Sequence, residues 1–280
     1  MKYYHVDVFS SKPLSGNGLT VVFPDKEIDD LTLGYITKEF KQFETVFIYT
    51  KDNEAYPIRI FTIEEELEFA GHPVLGTGAI IHKVFYPNDI RKKIIIKIKE
   101  RNIIVESEKK ENVFSVTMNQ GIPSYINTIP INHYIEIAES LNLTLNDIDN
   151  RFPLEVVSTG LPYLLIPLNN NIEKCKIIHS NFEQLLNKFN AKFAYVFDTN
   201  SLECRTWDNF GLVEDVATGS AAGPLCAYLI KHKIKKENEK IYISQGKYVN
   251  RPSKIECWMQ SQEVYIKGFV SFFSQGEIYL

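Results

Sequence analysis

The sequence has few of the residues that most metal and redox sites require. Its four cysteines are far apart along 280 residues, and no C-x-x-C pair occurs. That spacing excludes the usual zinc and dithiol patterns, so we expect reduced, structural thiols. The six histidines are equally scattered, with no H-E-x-x-H or similar ligand spacing. The sequence therefore predicts no metal site and no metal cofactor.

Charge of one sign and long apolar runs are also missing. The chain carries 31 basic and 35 acidic residues, a net charge of −4, so no global field would gather nucleic acid or an anionic membrane. No long uncharged span occurs, and the N-terminal "MKYYHVDVFSS" places His5 and Asp7 where a signal peptide would be apolar. We therefore expect a cytoplasmic protein whose partner is a small molecule.

The hydrophobic pattern that is present is mostly that of strands. With 44% hydrophobic residues, the chain can bury a large core in one long domain or two similar lobes. Alternating or β-branched runs predict strands at 3–9, 93–99, 112–118, 162–167, 193–197, 240–244, 254–259 and 264–270. Helical periodicity appears at 131–143 and at 180–189, where Ser180 and Glu183 have capping-box spacing. Both halves should therefore be rich in strands, with a few surface helices.

One stretch of the sequence has a second version. "RIFTIEEELEFAGHPVLGTGAII" begins at Arg59, and "RTWDNFGLVEDVATGSAAGPLCAYLI" begins at Arg205. Each runs from an arginine and an aromatic residue, through acidic residues, to a glycine turn and an apolar helix. Their separation of 205 − 59 = 146 residues is close to half the chain, which predicts two copies of one structural unit. Two unrelated strand-to-helix turns are the alternative. In the first copy, the run from Glu64 to Glu68 predicts a solvated turn.

The two glycine turns predict helix starts at Gly71 and Gly219. Pro73 suits the opening of a helix, because its missing N–H would have been unpaired and its φ is already helical. Small residues around Gly219 would let backbone N–H groups approach a ligand closely. A helix start offers unpaired donors and a partial positive charge, so two starts facing one another favour binding of a carboxylate.

Nucleotides are the competing anions. "GHPVLGTG" has Gly71 and Gly76 at P-loop separation, but Thr77 stands where the phosphate-binding lysine belongs. The dinucleotide fingerprint G-x-G-x-x-G is missing as well. ATP, GTP and NAD are therefore disfavoured, and we expect no organic cofactor.

Motifs along nearly the whole chain resemble the PhzF-like phenazine-biosynthesis family, and they occur in the family's order. They are "HVDVFSSKPLSGNGLTVV", "FETVFI", "RIFTIEEELEFAGHPVLGTGA", "EDVATGSAAG", "SQGKYVNRPSKI" and "GEIYL". The resemblance implies an α+β, diaminopimelate-epimerase-like fold with two pseudo-symmetric lobes. Each lobe would be a barrel-like, mostly antiparallel sheet around a central helix. We place the lobes at 1–125 and 126–280, and the final strand can return to the first lobe.

The resemblance also implies an activity and a set of site residues. It implies cofactor-independent isomerase chemistry between the lobes, commonly in a homodimer, with Glu44 of "FETVF" as the catalytic acid/base. The positions that it assigns to substrate binding are Asn17, Gly71, His72, Asp215, Gly219 and Ser220.

The chemistry expected of Glu44 can also be argued from its surroundings. A carboxylate that takes a proton from carbon and returns it needs a pKa raised toward neutrality, and burial among Phe43, Val46 and Phe47 would raise it. The plain alternative is a surface glutamate at a strand end. His72 and Asp215 would then position substrate and stabilise developing charge. A capping or packed histidine is the alternative for His72.

Two classes of function remain open at this stage. The first is an isomerase that shifts a proton, and with it a double bond, in a small carboxylate-bearing metabolite by a single acid/base. The second is a metabolite-binding or interaction protein with the same cleft and little turnover. A two-base epimerase of this architecture needs a thiol in each lobe, and no cysteine precedes Cys175. Thiol-pair epimerisation is therefore excluded.

Overall fold

The computed structural model describes all 280 residues, Met1–Leu280. The helices are α1 (Asp30–Phe40), α2 (Gly71–Phe85), α3 (Tyr134–Ser140), α4 (Phe182–Asn187) and α5 (Gly219–Lys231). The strands are β1 (Lys2–Val8), β2 (Asn17–Phe23), β3 (Thr45–Ile48), β4 (Ala55–Phe61), β5 (Glu66–Leu67), β6 (Arg91–Ile98), β7 (Arg101–Lys110), β8 (Val113–Gly121), β9 (Ser124–Thr128), β10 (Glu155–Ser158), β11 (Pro162–Leu168), β12 (Phe193–Asp198), β13 (Glu203–Arg205), β14 (Ile241–Gln245), β15 (Ser253–Gln260) and β16 (Glu263–Glu277). No helix is both long and apolar enough to cross a membrane.

The chain forms two compact units. The first contains Met1–Asn119 together with Lys267–Leu280, and the second contains Gln120–Ile266. The last residues of β8 and the first residues of β16 therefore belong to the second unit. Every strand predicted from the sequence is present, and the α+β class with barrel-like sheets is confirmed.

The first unit is a closed ring of eight strands around a helix. Its order is β1-β2-β3-β4-β6-β7-β8-β16, and β1 pairs with β16 to complete the ring. Helix α2 packs against β1, β2, β6 and β7, and its first twelve residues, Gly71–His82, are all buried. A Cβ atom on Gly76 would come within 2.5 Å of Leu19 Cδ2 on β2, so the helix lies this close to the sheet only because that residue is glycine.

The second unit repeats this order of elements. Its strands follow the path β15-β14-β13-β12-β11-β10-β9, with the start of β16 beside β15. Each unit has an antiparallel hairpin, a buried helix and two parallel strand pairs: β2–β3 and β4–β6 in the first, β11–β12 and β13–β14 in the second. Helix α5 packs against β10, β11 and β15. The shared topology confirms the predicted duplication.

The outer helices are shorter than the sequence pattern suggested. The segment at 131–143 forms a 3₁₀ turn followed by α3, and the segment at 180–189 forms α4. Both helices pack apolar side chains on the sheet of the second unit. The capping-box prediction for Ser180 and Glu183 is wrong, because the residue before the helix is Asn181, and its side chain caps no backbone N–H.

An arginine clamps the hairpin that precedes α2. The guanidinium of Arg59 on β4 forms a two-pronged ion pair with Glu66 on β5, with Nε–Oε1 at 2.9 Å and Nη2–Oε2 at 2.6 Å. It also lies over the ring of Phe61, 4.9 Å from the centroid, and binds Asp30. The expectation of a plain solvated turn is therefore wrong for Glu66, although Glu64 is exposed.

The second unit has the same arginine–glutamate ion pair, and there both side chains are more deeply buried. Arg205 on β13 binds Glu214 with the same two distances, 2.9 and 2.6 Å. Its guanidinium lies over Trp207 and also over Tyr248, and it donates to three backbone carbonyls. The side chains of Arg205 and Glu214 are only 8% and 9% exposed, against 28% for both Arg59 and Glu66.

The difference in burial between the two clamps predicts a difference in stability. Arg205→Met should lower the free energy of unfolding by about 3–5 kcal/mol, because it leaves the Glu214 carboxylate buried without its cation. Arg59→Met, the matched change in the first unit, should cost about 1 kcal/mol or less, because water can solvate Glu66. Urea titration of the two variants checks this, and equal losses would contradict it.

Candidate active site

Three of the predicted site residues meet at the start of α2. Glu44 is the residue before β3, and that strand is held on both sides, since Thr45 pairs with Thr20 of β2 and with Phe61 of β4. Asn17 is the first residue of β2, which runs parallel to β3, so both side chains lie at the same edge of the ring.

The side chains of Glu44, His72 and Asn17 are in contact. Glu44 Oε2 lies 3.2 Å from His72 Nε2, and Asn17 Nδ2 lies 3.4 Å from His72 Nδ1. The two atoms of the first pair are this close without forming a hydrogen bond. The Glu44 side chain is 16% exposed and that of His72 is 7% exposed. The structure thus brings the predicted carboxylate and the predicted histidine together.

Burial makes His72 a neutral histidine. Loss of water lowers the pKa of His72 from 6.5 to about 3, so the ring carries one proton at neutral pH. The Asn17 amide nitrogen can only donate, so Nδ1 is the acceptor and we assign the ring proton to Nε2. Nε2, which carries this proton, is therefore the ring atom that lies 3.2 Å from the Glu44 carboxyl group, although no hydrogen bond joins the two.

The apolar surroundings predicted for Glu44 are partly wrong. Val46 and Phe47 are completely buried, but Phe43 is 37% exposed and lies in the bend before the strand. Strand alternation puts Val46, and not Phe47, on the face of β3 shared with Glu44. Phe47 instead packs in the apolar cluster with residues of α1.

The second unit places Asp215 just before α5. Its backbone N–H donates to the Thr206 carbonyl at 3.0 Å, and its carboxylate accepts a short hydrogen bond from the Thr218 hydroxyl. Gly219 is the first residue of the helix, and the Ser220 hydroxyl contacts the Tyr163 hydroxyl at 2.7 Å. Ser220 is therefore tied to a neighbouring strand and does not merely cap its own helix.

The predicted helix starts are observed at both places. Helix α2 begins at Gly71 and α5 begins at Gly219, and Pro73 is the third residue of α2. The N–H groups of the first turn have no acceptor within a helix. Binding of one anion by both starts remains a prediction.

Residues missed in the sequence surround Asp215. Gln245 donates to the Asp215 carbonyl at 2.9 Å and to Thr218 Oγ1 at 3.0 Å, and it accepts from Tyr195. Gln245 lies in the stretch "SQGKYVN", which carries family resemblance, but no local pattern shows that its partners are 27 and 30 residues upstream. No group of three or more His, Cys, Asp or Glu side chains could hold a metal ion.

The fold has close counterparts among solved structures. A structure described as a predicted epimerase from Pseudomonas aeruginosa superposes with a TM-score of 0.94 and 36% sequence identity, covering 100% of this chain and 99% of that one. A probable proline racemase from Agrobacterium radiobacter has a TM-score of 0.65 at 9% identity, over 100% and 93% of the chains. The second similarity shows the fold alone.

The sequence comparisons define the family. Residues 6–276 match the family of phenazine biosynthesis-like proteins, PhzC-PhzF. The trans-2,3-dihydro-3-hydroxyanthranilate isomerase of Pseudomonas chlororaphis is 29% identical over 265 residues, which cover 90% of this chain and 87% of that protein. The chain belongs to the PhzC-PhzF family, as its motifs predicted, and it is an isomerase.

The neutral, buried His72 predicts a pH dependence of stability. Between pH 6.5 and about 3 the unfolded chain binds a proton on this residue that the folded chain does not. Its contribution to stability therefore falls as the pH drops through that window, and it is constant above it. From pH 7 to pH 5, the wild type should lose about 2 kcal/mol more than His72→Asn.

The measurement is urea unfolding of both proteins at the two pH values. His179→Asn, which removes an exposed histidine, is the control. If the wild type and His72→Asn lost equal stability, His72 would not be buried in its neutral form.

Proposed function

We propose that the protein is a cofactor-independent isomerase that moves a proton, and with it a double bond, in a small carboxylate-bearing metabolite. Glu44 is the single acid/base. The observation that carries this proposal is the contact between the Glu44 carboxyl group and the neutral His72, 3.2 Å apart at the start of α2.

The proposed reaction conserves every atom and electron of the substrate. The Glu44 carboxylate takes a proton from carbon, and the C–H electron pair shifts the neighbouring double bond by one position. The Glu44 carboxyl group, which can exchange its proton with solvent, then protonates the far carbon, so nothing is oxidised or reduced. Because one carboxyl group serves as both base and acid, no thiol pair, metal or nucleotide takes part.

The other predicted residues bind and orient the substrate in this proposal. The Nε2–H of His72 is a neutral donor that can stabilise negative charge as it develops, without becoming a second proton carrier. Backbone N–H groups at Gly71 and Gly219 bind the substrate carboxylate. Asn17, Asp215 and Ser220 fix its orientation. Support comes from the two helix starts and from the hydrogen bonds that hold Asp215 and Ser220.

The named activity of a relative suggests the first substrate to test. The Pseudomonas chlororaphis protein is a trans-2,3-dihydro-3-hydroxyanthranilate isomerase. That name describes a small, partly reduced ring that carries a carboxylate, which is the class of substrate proposed here.

Glu44→Gln tests the assignment of the proton carrier. The change keeps the volume of the side chain and removes its ability to accept and return a proton. Incorporation of solvent deuterium into trans-2,3-dihydro-3-hydroxyanthranilate, or into another carboxylate found by screening, should fall by about 10²–10⁴-fold or more. Ligand binding and folding should survive, because a neutral amide is easier to bury than a carboxylate.

Three further variants complete this test. His72→Asn and Ser220→Ala should weaken binding but keep measurable exchange, since neither residue carries the proton. Glu64→Gln makes the same chemical change at an exposed position and should behave like the wild type. If Glu44→Gln exchanged deuterium at nearly the wild-type rate and His72→Asn showed no exchange, the histidine would be the base.

A chelator tests the independence from metal. Extensive treatment with EDTA should leave the rate of deuterium exchange unchanged, since the proposed mechanism uses only side chains and backbone N–H groups. The purified protein should also show no absorption from a bound chromophore. Loss of exchange that returns on adding zinc or magnesium would overturn the proposal.

A further inference from the structure

A fully buried amide lies beneath the start of α5. Gln245 is the last residue of β14 and only 1% exposed. Its carbonyl oxygen accepts from the Tyr195 hydroxyl at 2.9 Å and from the Thr218 backbone N–H at 3.1 Å. Its amide nitrogen donates to the Asp215 carbonyl at 2.9 Å and to the Thr218 hydroxyl at 3.0 Å. Both acceptor sites and both hydrogens of the amide are therefore used.

Two backbone groups fix which way this amide points. The Thr218 N–H can only donate, so the atom facing it must be the Gln245 oxygen. The Asp215 carbonyl can only accept, so the atom facing it must be the nitrogen. Rotating the amide by 180° would break both contacts, and buried unsatisfied polar groups are costly. The direction of the hydrogen bonds is thus set by the fold.

The donor-to-acceptor order of these hydrogen bonds continues from the Gln245 amide to the Asp215 carboxylate. Because the Gln245 nitrogen donates to Thr218 Oγ1, the Thr218 hydroxyl accepts there and turns its own hydrogen towards Asp215. We propose that Gln245 is a positioning residue that orients the Thr218 hydroxyl as a donor and so holds Asp215 as an ionised hydrogen-bond acceptor at the start of α5.

The neighbouring titratable groups are compatible with an ionised Asp215. Burial raises the pKa of Tyr195 well above its usual value, so the phenol stays protonated and remains a donor to Gln245. Glu214, the preceding residue, forms an ion pair with Arg205, so its charge is compensated. Asp215 would then meet substrate as a fixed acceptor and leave proton transfer to Glu44.

This inference rests on the proposed role of Asp215, but it can be tested without turnover. The probe is the Asp215 carboxyl carbon in protein labelled with ¹³C at the aspartate side chains. Its signal is identified by its loss in Asp215→Asn, and its titration midpoint is followed by NMR. The experiment gives its result whether or not the protein isomerises any compound.

Two threonines provide a matched pair. Thr218→Val removes the hydroxyl that donates to Asp215 and should move the midpoint up by about one to two pH units. Thr159→Val makes the same change in a hydroxyl that donates to Gln120, another amide bound to the start of α5. It should leave the midpoint in place. Thr218→Ser restores the hydroxyl and should restore the midpoint.

Gln245→Met tests the orienting residue itself. It should move the midpoint in the same direction by a smaller amount, because the freed hydroxyl can still turn to the carboxylate for part of the time. A wild-type midpoint in folded Thr218→Val or in folded Gln245→Met would overturn the proposal, and so would an equal shift in Thr159→Val. If Gln245→Met does not fold, the threonine pair decides the question.

Discussion

When a helix lies buried inside a sheet, its first N–H groups have no acceptor within the helix and little access to water. Both α2 and α5 are buried over most of their length, including Gly71 and Gly219 at their starts. Bare amide donors in an apolar setting are costly. No residue at the N-cap position of either helix caps it with a side chain, but polar residues of each unit lie close to both starts. The first unit gathers Asn17, Glu44 and His72 there. The second gathers a network of hydrogen bonds around Asp215.

The two units share their arginine–glutamate ion pair but differ in the polar residues beside their buried helices. In both units an arginine on a strand that precedes the buried helix forms a bidentate ion pair with a glutamate, with the same N–O distances, and lies over an aromatic ring. The polar residues beside the two helix starts are, by contrast, different in kind. One start lies beside a carboxyl group and a neutral imidazole, and the other beside a carboxylate held by a hydroxyl. A repeated scaffold with unlike polar groups can give the two units different tasks.

Local pattern located eight of the sixteen strands and the two buried helices, whereas the two-lobed fold followed from the family resemblance. Alternation located the strands, and the glycine turns located α2 and α5, because backbone and side-chain preferences act over a few residues. The contact of Glu44 with His72 followed only from the family resemblance. Three features escaped prediction: the ion pair of Glu66 with Arg59, the exposure of Phe43 and the network of Gln245. A hydrogen bond between residues 27 apart leaves no periodic trace in a sequence.

The return of β16 to the first unit has a consequence for the order of folding. The ring of the first unit closes through pairing of residues 270–277 with β1, after a complete second unit has intervened in the chain. During synthesis the first unit therefore waits, with β1 lacking one neighbour, until the ribosome has made residues 270–277. The second unit lies on one continuous stretch and can mature earlier. The unit that is synthesised first is the one that closes last, and its open edge is exposed to mispairing in the meantime.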